Sequence, residues 1–314
     1  MTTTKSRLVC GIGAALAAGA ALAMLAASTA SAASDVTPPA GITLPADATT
    51  APILIASLEG RNEVTGGAAT GQALETIGIH DNTLTYTIAW RGIGTPTAAD
   101  IHAGARGVDG PVVVPLFTTP QHAGGVVSGN VTVNDTTLLA ALRANPNGFY
   151  AELHTNTFPA GAVRAQLHLL THPVSTTGVA VLQESVILGS QIYACTVQGD
   201  GTFGFSQNNV EARLSGGIHH TFVQPAAGPP QWQAPDGSAV SGKVVTKNAN
   251  GDANIAELNL DATQIGSPGG LLGNVVEVLR LNTVGGVAPT GVCDPQATPI
   301  VGVPYQADYV FING

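Results

Sequence analysis

The chain has 314 residues, of which only 10% are charged, and a formal net charge of −9 at pH 7. No block of Lys or Arg exists along it, which excludes nucleic-acid recognition through the phosphates and docking on an anionic membrane surface. With charge this scarce, the exposed surface has to be built from Thr, Ser, Asn, Gln and Gly, a composition suited to an exported β protein.

Residues 1–32 read as an export signal. Lys5 and Arg7 precede an apolar run over 8–27, and Ala30-Ser31-Ala32 is a small-residue cleavage site. The competing reading, a retained anchor, has to set a run made mostly of Ala and Gly against a cleavage site that follows directly. Cys10 lies too early for a lipid-modified cysteine, and no later apolar run is long enough to cross a bilayer. The expected location is secreted, extracellular, with no membrane contact after cleavage.

Removal of the signal leaves two cysteines, Cys195 and Cys293. An even count in an exported chain reads as one disulfide, with two buried thiols as the alternative. C-x-x-C spacing is absent, so neither a thioredoxin-like motif nor a zinc knuckle has support.

The length of the mature chain suggests two domains. Residues 33–52, rich in Pro, Ala and Thr, form a flexible linker. A first domain is expected over 53–170, a second linker over 171–176 and a second domain over 177–314. Leu84, Tyr86, Ile88 and Trp90 alternate with Thr85, Thr87 and Ala89, the period of a half-buried strand. A short helix is expected over 136–144, capped by Asn134 or Asp135 and stopped by Asn145-Pro146. Alternation returns over 149–154 and 163–169, and in the second half over 276–281 and 305–311. Gly, Pro, Asn and Asp clusters punctuate these runs, so both halves are all-β, as sandwiches or barrels in tandem.

Residues two apart on a strand face the same way. Asp100 and His102 can therefore converge, as can Glu152 and His154, and Arg164, Gln166 and His168. If 150–155 pairs antiparallel with 162–170, Arg164 lies opposite or diagonal to Glu152 and His154, and a polar cluster of Glu152, Arg164 and Gln166 forms on one face. Two readings compete. In one, His102 and His154, completed by Asp100 or His122, hold Zn or Cu. In the other, no cofactor is bound, His102 orients a turn and Arg164 pairs with Glu152. His80, His168 and His172 are expected at the surface.

In the second half, Asp236-Gly237-Ser238 has the residues of a turn, with Trp232 beneath it. His219 after two glycines would serve as a base, as a ligand, or simply to close the loop. Arg280 would grip an anion or pair with Glu277 or Asp308. No Gly-x-Ser-x-Gly elbow, His-Glu-x-x-His, phosphate loop or dinucleotide glycine pattern exists.

Two resemblances add to this. The segment 53–170 carries Leu58-Glu59-Gly60…Glu63-Val64, Ile101-His102-x-Gly104, Gly110-Pro111-Val-Val-Val and Tyr150…His154-Thr155…Pro159-x-Gly161…Arg164…Gln166-Leu167. On these it resembles the CHRD (chordin-type) domain family, which implies an immunoglobulin-like or superoxide-dismutase-like sandwich of mostly unassigned role. That family commonly has His-Ile-His where this chain has Asp100-Ile101-His102, which favours a mixed His/carboxylate site over a two-histidine copper site. The segment 177–314 carries Tyr193-x-Cys195, Gly216-Gly217-Ile-His219, Pro230-x-Trp232, Asp236-Gly237-Ser238, Thr283-x-Gly285-Gly286-x-Ala288-Pro289, Cys293-Asp294 and Tyr305-x-Ala307-Asp308-Tyr309-x-Phe311. It is similar to a family of exported proteins known only as a domain of unknown function, and the resemblance implies that Cys195 and Cys293 are bonded.

Together these readings predict a secreted two-domain binding or structural protein of unassigned molecular role, with catalysis left open and with an extracellular protein or a small ligand as partner. The rivals are a Zn or Cu protein using His102 and His154, either as a metal binder or as an oxidoreductase, and a hydrolase centred on His219.

Overall fold

The computed structural model describes residues 52–122, 125–172 and 181–314. The expected signal at 1–32, most of the linker at 33–52 and residues 173–176 of the second linker lie outside them. Two barrel-like sheets follow one another along the chain. The first contains β1 (Ile53–Glu59), β2 (Gln72–His80), β3 (Thr83–Arg91), β4 (Pro96–Ala103), β5 (Val112–Phe117), β6 (Val126–Thr132), β7 (Phe149–Thr155), β8 (Val163–Gln166) and β9 (His168–Leu169). Its order is β5-β4-β7-β8-β1-β2-β3-β6, with β9 also paired to β1. The one α-helix among the described residues, α1 (Thr136–Ala144), lies between β6 and β7. Asp135 caps it, Oδ1 accepting from the Thr137 and Leu138 amides at 2.9 and 3.0 Å, and Leu139 and Leu142 face the core.

The second sheet is a closed barrel of eight strands: β10 (Val181–Val197), β11 (Phe203–Leu214), β12 (His219–Phe222), β13 (Pro230–Gln233), β14 (Ala239–Asn248), β15 (Glu257–Gln264), β16 (Val275–Gly285) and β17 (Ile300–Asn313). Closure through the β17–β10 pairing removes the free edges of the sheet. Part of the interior is filled by aromatic rings. His220 stacks on its cross-strand partner Trp232 at 4.5 Å, and Tyr309 and Phe311 meet Trp232 edge-on. A disulfide joins Cys195, near the end of β10, to Cys293 in the loop before β17.

Alternation along β1 explains how the two sheets meet. Leu54, Ala56 and Leu58 point into the core of the first sheet, while Ile53 and Ile55 point the other way and pack with Leu279, Leu281, Val310 and Ile312 of the barrel. Strands apolar on both faces, such as β1 and β17, are what contact on both sides demands. Polar groups complete the junction. Asp308, wholly buried, accepts from Ser57 Oγ at 2.8 Å, Ser185 Oγ at 2.7 Å and Asn282 Nδ2 at 2.8 Å. Glu277, equally buried, accepts from the Thr171 and His172 amides and from Asn259 Nδ2. Both sheets accordingly fall in one compact unit. Ser57 also accepts from Gln183 Nε2 at 2.7 Å. Ser57→Ala is therefore expected to cost roughly 1–2 kcal/mol by leaving two buried partners short of a bond. Urea unfolding should keep a single transition that reports both sheets; separate transitions would show that the junction does not couple them.

Candidate metal centre

β4 lies between β5 and β7, and its pairing with β7 sets Asp100 opposite Glu152 and His102 opposite Tyr150. Ala99, Ile101, Ala151 and Leu153 occupy the core. Asp100, His102, Glu152 and His154 are thereby turned to the opposite face of the same two strands. One ligand atom from each of Asp100, His102 and His154 lies within 4.8 Å of those of the other two. Glu152 joins them: its Oε2 is 3.0 Å from His102 Nε2 and 3.7 Å from His154 Nε2, while Asp100 Oδ2 is 3.3 Å from His154 Nε2.

Each imidazole is held from behind by the backbone. His102 Nδ1 donates to Gly110 O at 2.9 Å, and His154 Nδ1 donates to Pro159 O at 3.2 Å. A carbonyl oxygen can only accept, so both Nδ1 atoms carry the proton, and in the neutral rings both Nε2 lone pairs face the carboxylates. His102 also stacks on Tyr150 at 4.7 Å.

The electrostatics follow from this crowding. Burial alone would lower the His102 pKa, but the contact with Glu152 and the bond to Gly110 outweigh it and the net shift is upward. The Asp100 contact raises that of His154 against the opposing effect of burial. Burial pushes Glu152 upward, yet its histidine neighbours and Glu63 reverse this and hold it below the usual carboxylate range. Glu63, from the loop after β1, is driven upward by burial and then by its contact with Glu152. Gly161 permits these two carboxyl groups to come together: its φ is +127°, and a Cβ there would lie 2.5 Å from Glu152 Oε1 and 2.6 Å from Glu63 Oε2.

The loop between β4 and β5 covers the cluster and is anchored on both sides. Arg164, buried under it, pairs with Asp109 at 2.8 Å, donates to Val108 O at 3.0 Å and lies 3.7 Å over the Tyr150 ring. Gln166 Nε2 donates to Gly104 O and Asn147 O. From the other side Arg106 reaches across to Glu257 of the barrel, whose second oxygen is 3.3 Å from His168 Nε2. The barrel thus helps hold the loop that supplies Gly110 O to His102.

Several expected placements are corrected. His122 is exposed, in the stretch after β5, and does not join the other three ligands. Arg164 sits opposite Glu152 in register but pairs with Asp109, because the covering loop brings that carboxylate to the guanidinium, which lies over the Tyr150 ring. His168 is buried rather than at the surface, since the barrel covers that end of the sheet. Arg280 pairs with neither Glu277 nor Asp308. Alternation turns those two toward the first sheet and Arg280 into the barrel, where Nε and Nη2 donate to Ala256 O. His219 is exposed and its ring makes no hydrogen bond among the described residues; the buried neighbour, His220, is the one that meets Trp232. Burial drives the His220 pKa down to about 3, so it is a neutral core residue. Asp236 accepts from Ser238 and from the Leu271 amide, tying the turn to the following loop rather than activating a nucleophile. Glu63, Asp109 and Tyr150 were not anticipated as parts of the site. Glu63 and Tyr150 stand in the motif segments of the first half, but nothing in their spacing indicates a shared pocket.

A His/carboxylate pocket on a sheet module, fused to an eight-stranded barrel, defines the class of protein. The CHRD domain model matches residues 54–167, and the model described as "Protein of unknown function (DUF3455)" matches residues 150–313. The latter covers more than half of the chain, so the protein belongs to that family, with a CHRD domain as its first half. Comparison with curated proteins and with solved structures gave no match. The two family matches overlap over 150–167, the β7–β8 hairpin that carries Glu152 and His154.

Proposed function

We propose that this is an exported metal-binding protein whose CHRD half holds one divalent transition-metal ion, zinc before copper, through His102 Nε2, His154 Nε2 and Asp100, with Glu152 as fourth ligand. One observation carries this: both histidines spend Nδ1 on a backbone carbonyl and aim Nε2 into the same carboxylate-lined space. Backbone-fixed imidazoles of this kind are the usual outer support of zinc ligands, and two nitrogens with carboxylate oxygens suit a tetrahedral zinc site. The disulfide and the CHRD domain are typical of extracellular proteins, and no helix among the described residues is long and apolar enough to cross a membrane.

Purified protein stripped with chelator and reloaded should take up one equivalent of Zn by elemental analysis. His102→Ala with His154→Ala should lower affinity more than about a hundredfold, since losing even an outer-shell partner costs 10–100-fold. A wild type that stays metal-free after reloading removes the proposal.

The pH dependence gives a second check. The histidines have raised folded-state pKa values, so in the metal-free protein their stabilising contribution is complete below the unfolded value near 6.5 and is lost as pH rises through the folded values. Glu152 is lowered, so its contribution is present above about 4.5 and is lost as pH falls through its folded value. The metal-free cluster therefore favours weakly acidic solution. Metal requires the neutral imidazoles and releases their protons. The rise in Tm on adding Zn should be larger at pH 8 than at pH 5.5; the opposite order would mean that the histidines are not ligands.

A further inference from the structure

The barrel is filled with aromatic rings over only part of its interior. Beyond Trp232 and Tyr309, a cavity of about 670 Å³ opens toward solvent, lined from the strands by Gln191, Tyr193, Leu258 and Arg280 and from the loops by Ile255 and Val287. Eight strands enclose room for packed side chains or for one small ligand, and this volume falls in the range of about 300–1,000 Å³ typical of small-molecule sites.

Its polar groups are unbalanced. Arg280 has no carboxylate within ion-pair distance among the described residues; Nε and Nη2 share a single backbone acceptor, Ala256 O, at 3.1 and 2.8 Å. Its charge acts on the hydroxyls of Tyr193, Tyr305 and Tyr309, opposing the upward push that burial gives each of them. Gln191 is only 3% exposed; its Oε1 accepts from Gln207 Nε2 at 3.1 Å, but its Nε2 has no partner. The buried Gln191 donor without an acceptor is costly unless an acceptor enters, and the half-buried Arg280 guanidinium lines the same cavity without a counter-charge. At the rim, Lys247 and Asp252 offset one another. Elsewhere the wall is mixed: Val244, Ile255, Leu258, Val287 and Ala288 give it an apolar side, and Tyr193, Gln207, Asn250 and Asn254 a polar one.

We infer that the mouth of the barrel binds a small organic acid, its carboxylate held by Arg280 and Gln191 and its apolar body laid against Leu258, Ile255 and Val287. An inorganic anion would leave the apolar wall uncovered, and an uncharged apolar molecule would leave the guanidinium unpaired.

The test compares dodecanoate with dodecanol on the disulfide-bonded, full mature chain, by displacement of anilinonaphthalene sulfonate and by calorimetry. Dodecanoate should bind one to one, with dodecanol at least about tenfold weaker. Arg280→Met should weaken dodecanoate about ten- to a hundredfold, as expected for loss of a charged hydrogen bond, and leave dodecanol nearly unchanged. Because Arg280→Met removes an interior side chain, Ala288→Trp provides an independent variant. Ala288 lies on the rim of the cavity, and an indole there should block both probes without altering Tm. Failure of dodecanoate to bind the wild type, or unchanged binding in a folded Ala288→Trp variant, overturns the inference. Neither outcome bears on the zinc site, which lies on the other sheet.

Discussion

Replacing Cys195 and Cys293 together by alanine is expected to lower stability by about 4–5 kcal/mol, the chain-entropy value for a cross-link closing a loop of this length. The sequence separation is 98 residues and the closed segment contains most of the barrel, from β11 to β16. The unfolded barrel therefore gains a large ensemble when the bond is absent. The loss in the folded state is local. The Cys195 amide already donates to Pro299 O and the Cys293 amide to Phe203 O, so the loop retains backbone ties to β11 and to the start of β17. Urea titration of oxidised wild type and double variant measures the difference. A change below about 1 kcal/mol would mean that the unfolded barrel is already compact without the bond. Non-reducing peptide mapping of wild type provides the control.

The second large effect has the opposite sign. Glu75 lies in the middle of β2, opposite Ala56 and Ile88, and its side chain points into the core of the first sheet. It is fully buried and neither carboxyl oxygen has a hydrogen-bond partner. Burial, and then the charge of Asp100, push its pKa up to about 8. An acid raised on folding holds a proton that the unfolded chain releases. Its contribution is therefore neutral below about pH 4.5 and becomes progressively destabilising until the pH passes 8. Glu75→Met keeps the volume and removes the carboxyl group. It should stabilise the protein by about 3–5 kcal/mol at pH 8 and by little at pH 4.5. Glu59 is raised to about 8 for the same primary reason, so the variant keeps a residual slope of stability against pH. Equal stability of variant and wild type at pH 8 would show that the carboxyl group is satisfied or hydrated.

The two predictions concern opposite extremes of legibility. The cysteine pair is legible once the expected export signal is set aside, because two thiols in the oxidising compartment that such a signal implies leave one pairing. Glu75 was not singled out from the sequence: alternation with Ala73, Ile77 and Ile79 turns it inward, but only the folded sheet shows that no partner meets its carboxyl group there. The same limit applied to the charged residues of the barrel. Arg280, Glu277 and Asp308 are near in sequence or in register, yet only alternation against a barrel wall with two distinct sides separates Arg280 from the other two.

The amino-acid sequence by itself determined the all-β character, the helix at 136–144 with a cap at 134 or 135, the two families, and the convergence of Asp100 with His102 and of Glu152 with His154. All of these depend on periods of two or four residues, or on motif residues close in the chain, and so are written locally. Only the tertiary structure decided that the first sheet and the barrel share an apolar junction, that His168 is buried and His122 is not, that Arg164 belongs to Asp109, and that a cavity with an unpaired guanidinium remains in the barrel. These depend on which face of a strand is covered by a segment about 50 to 250 residues away, and burial of that kind is set by the closing of the sheets and not by the order of neighbouring residues.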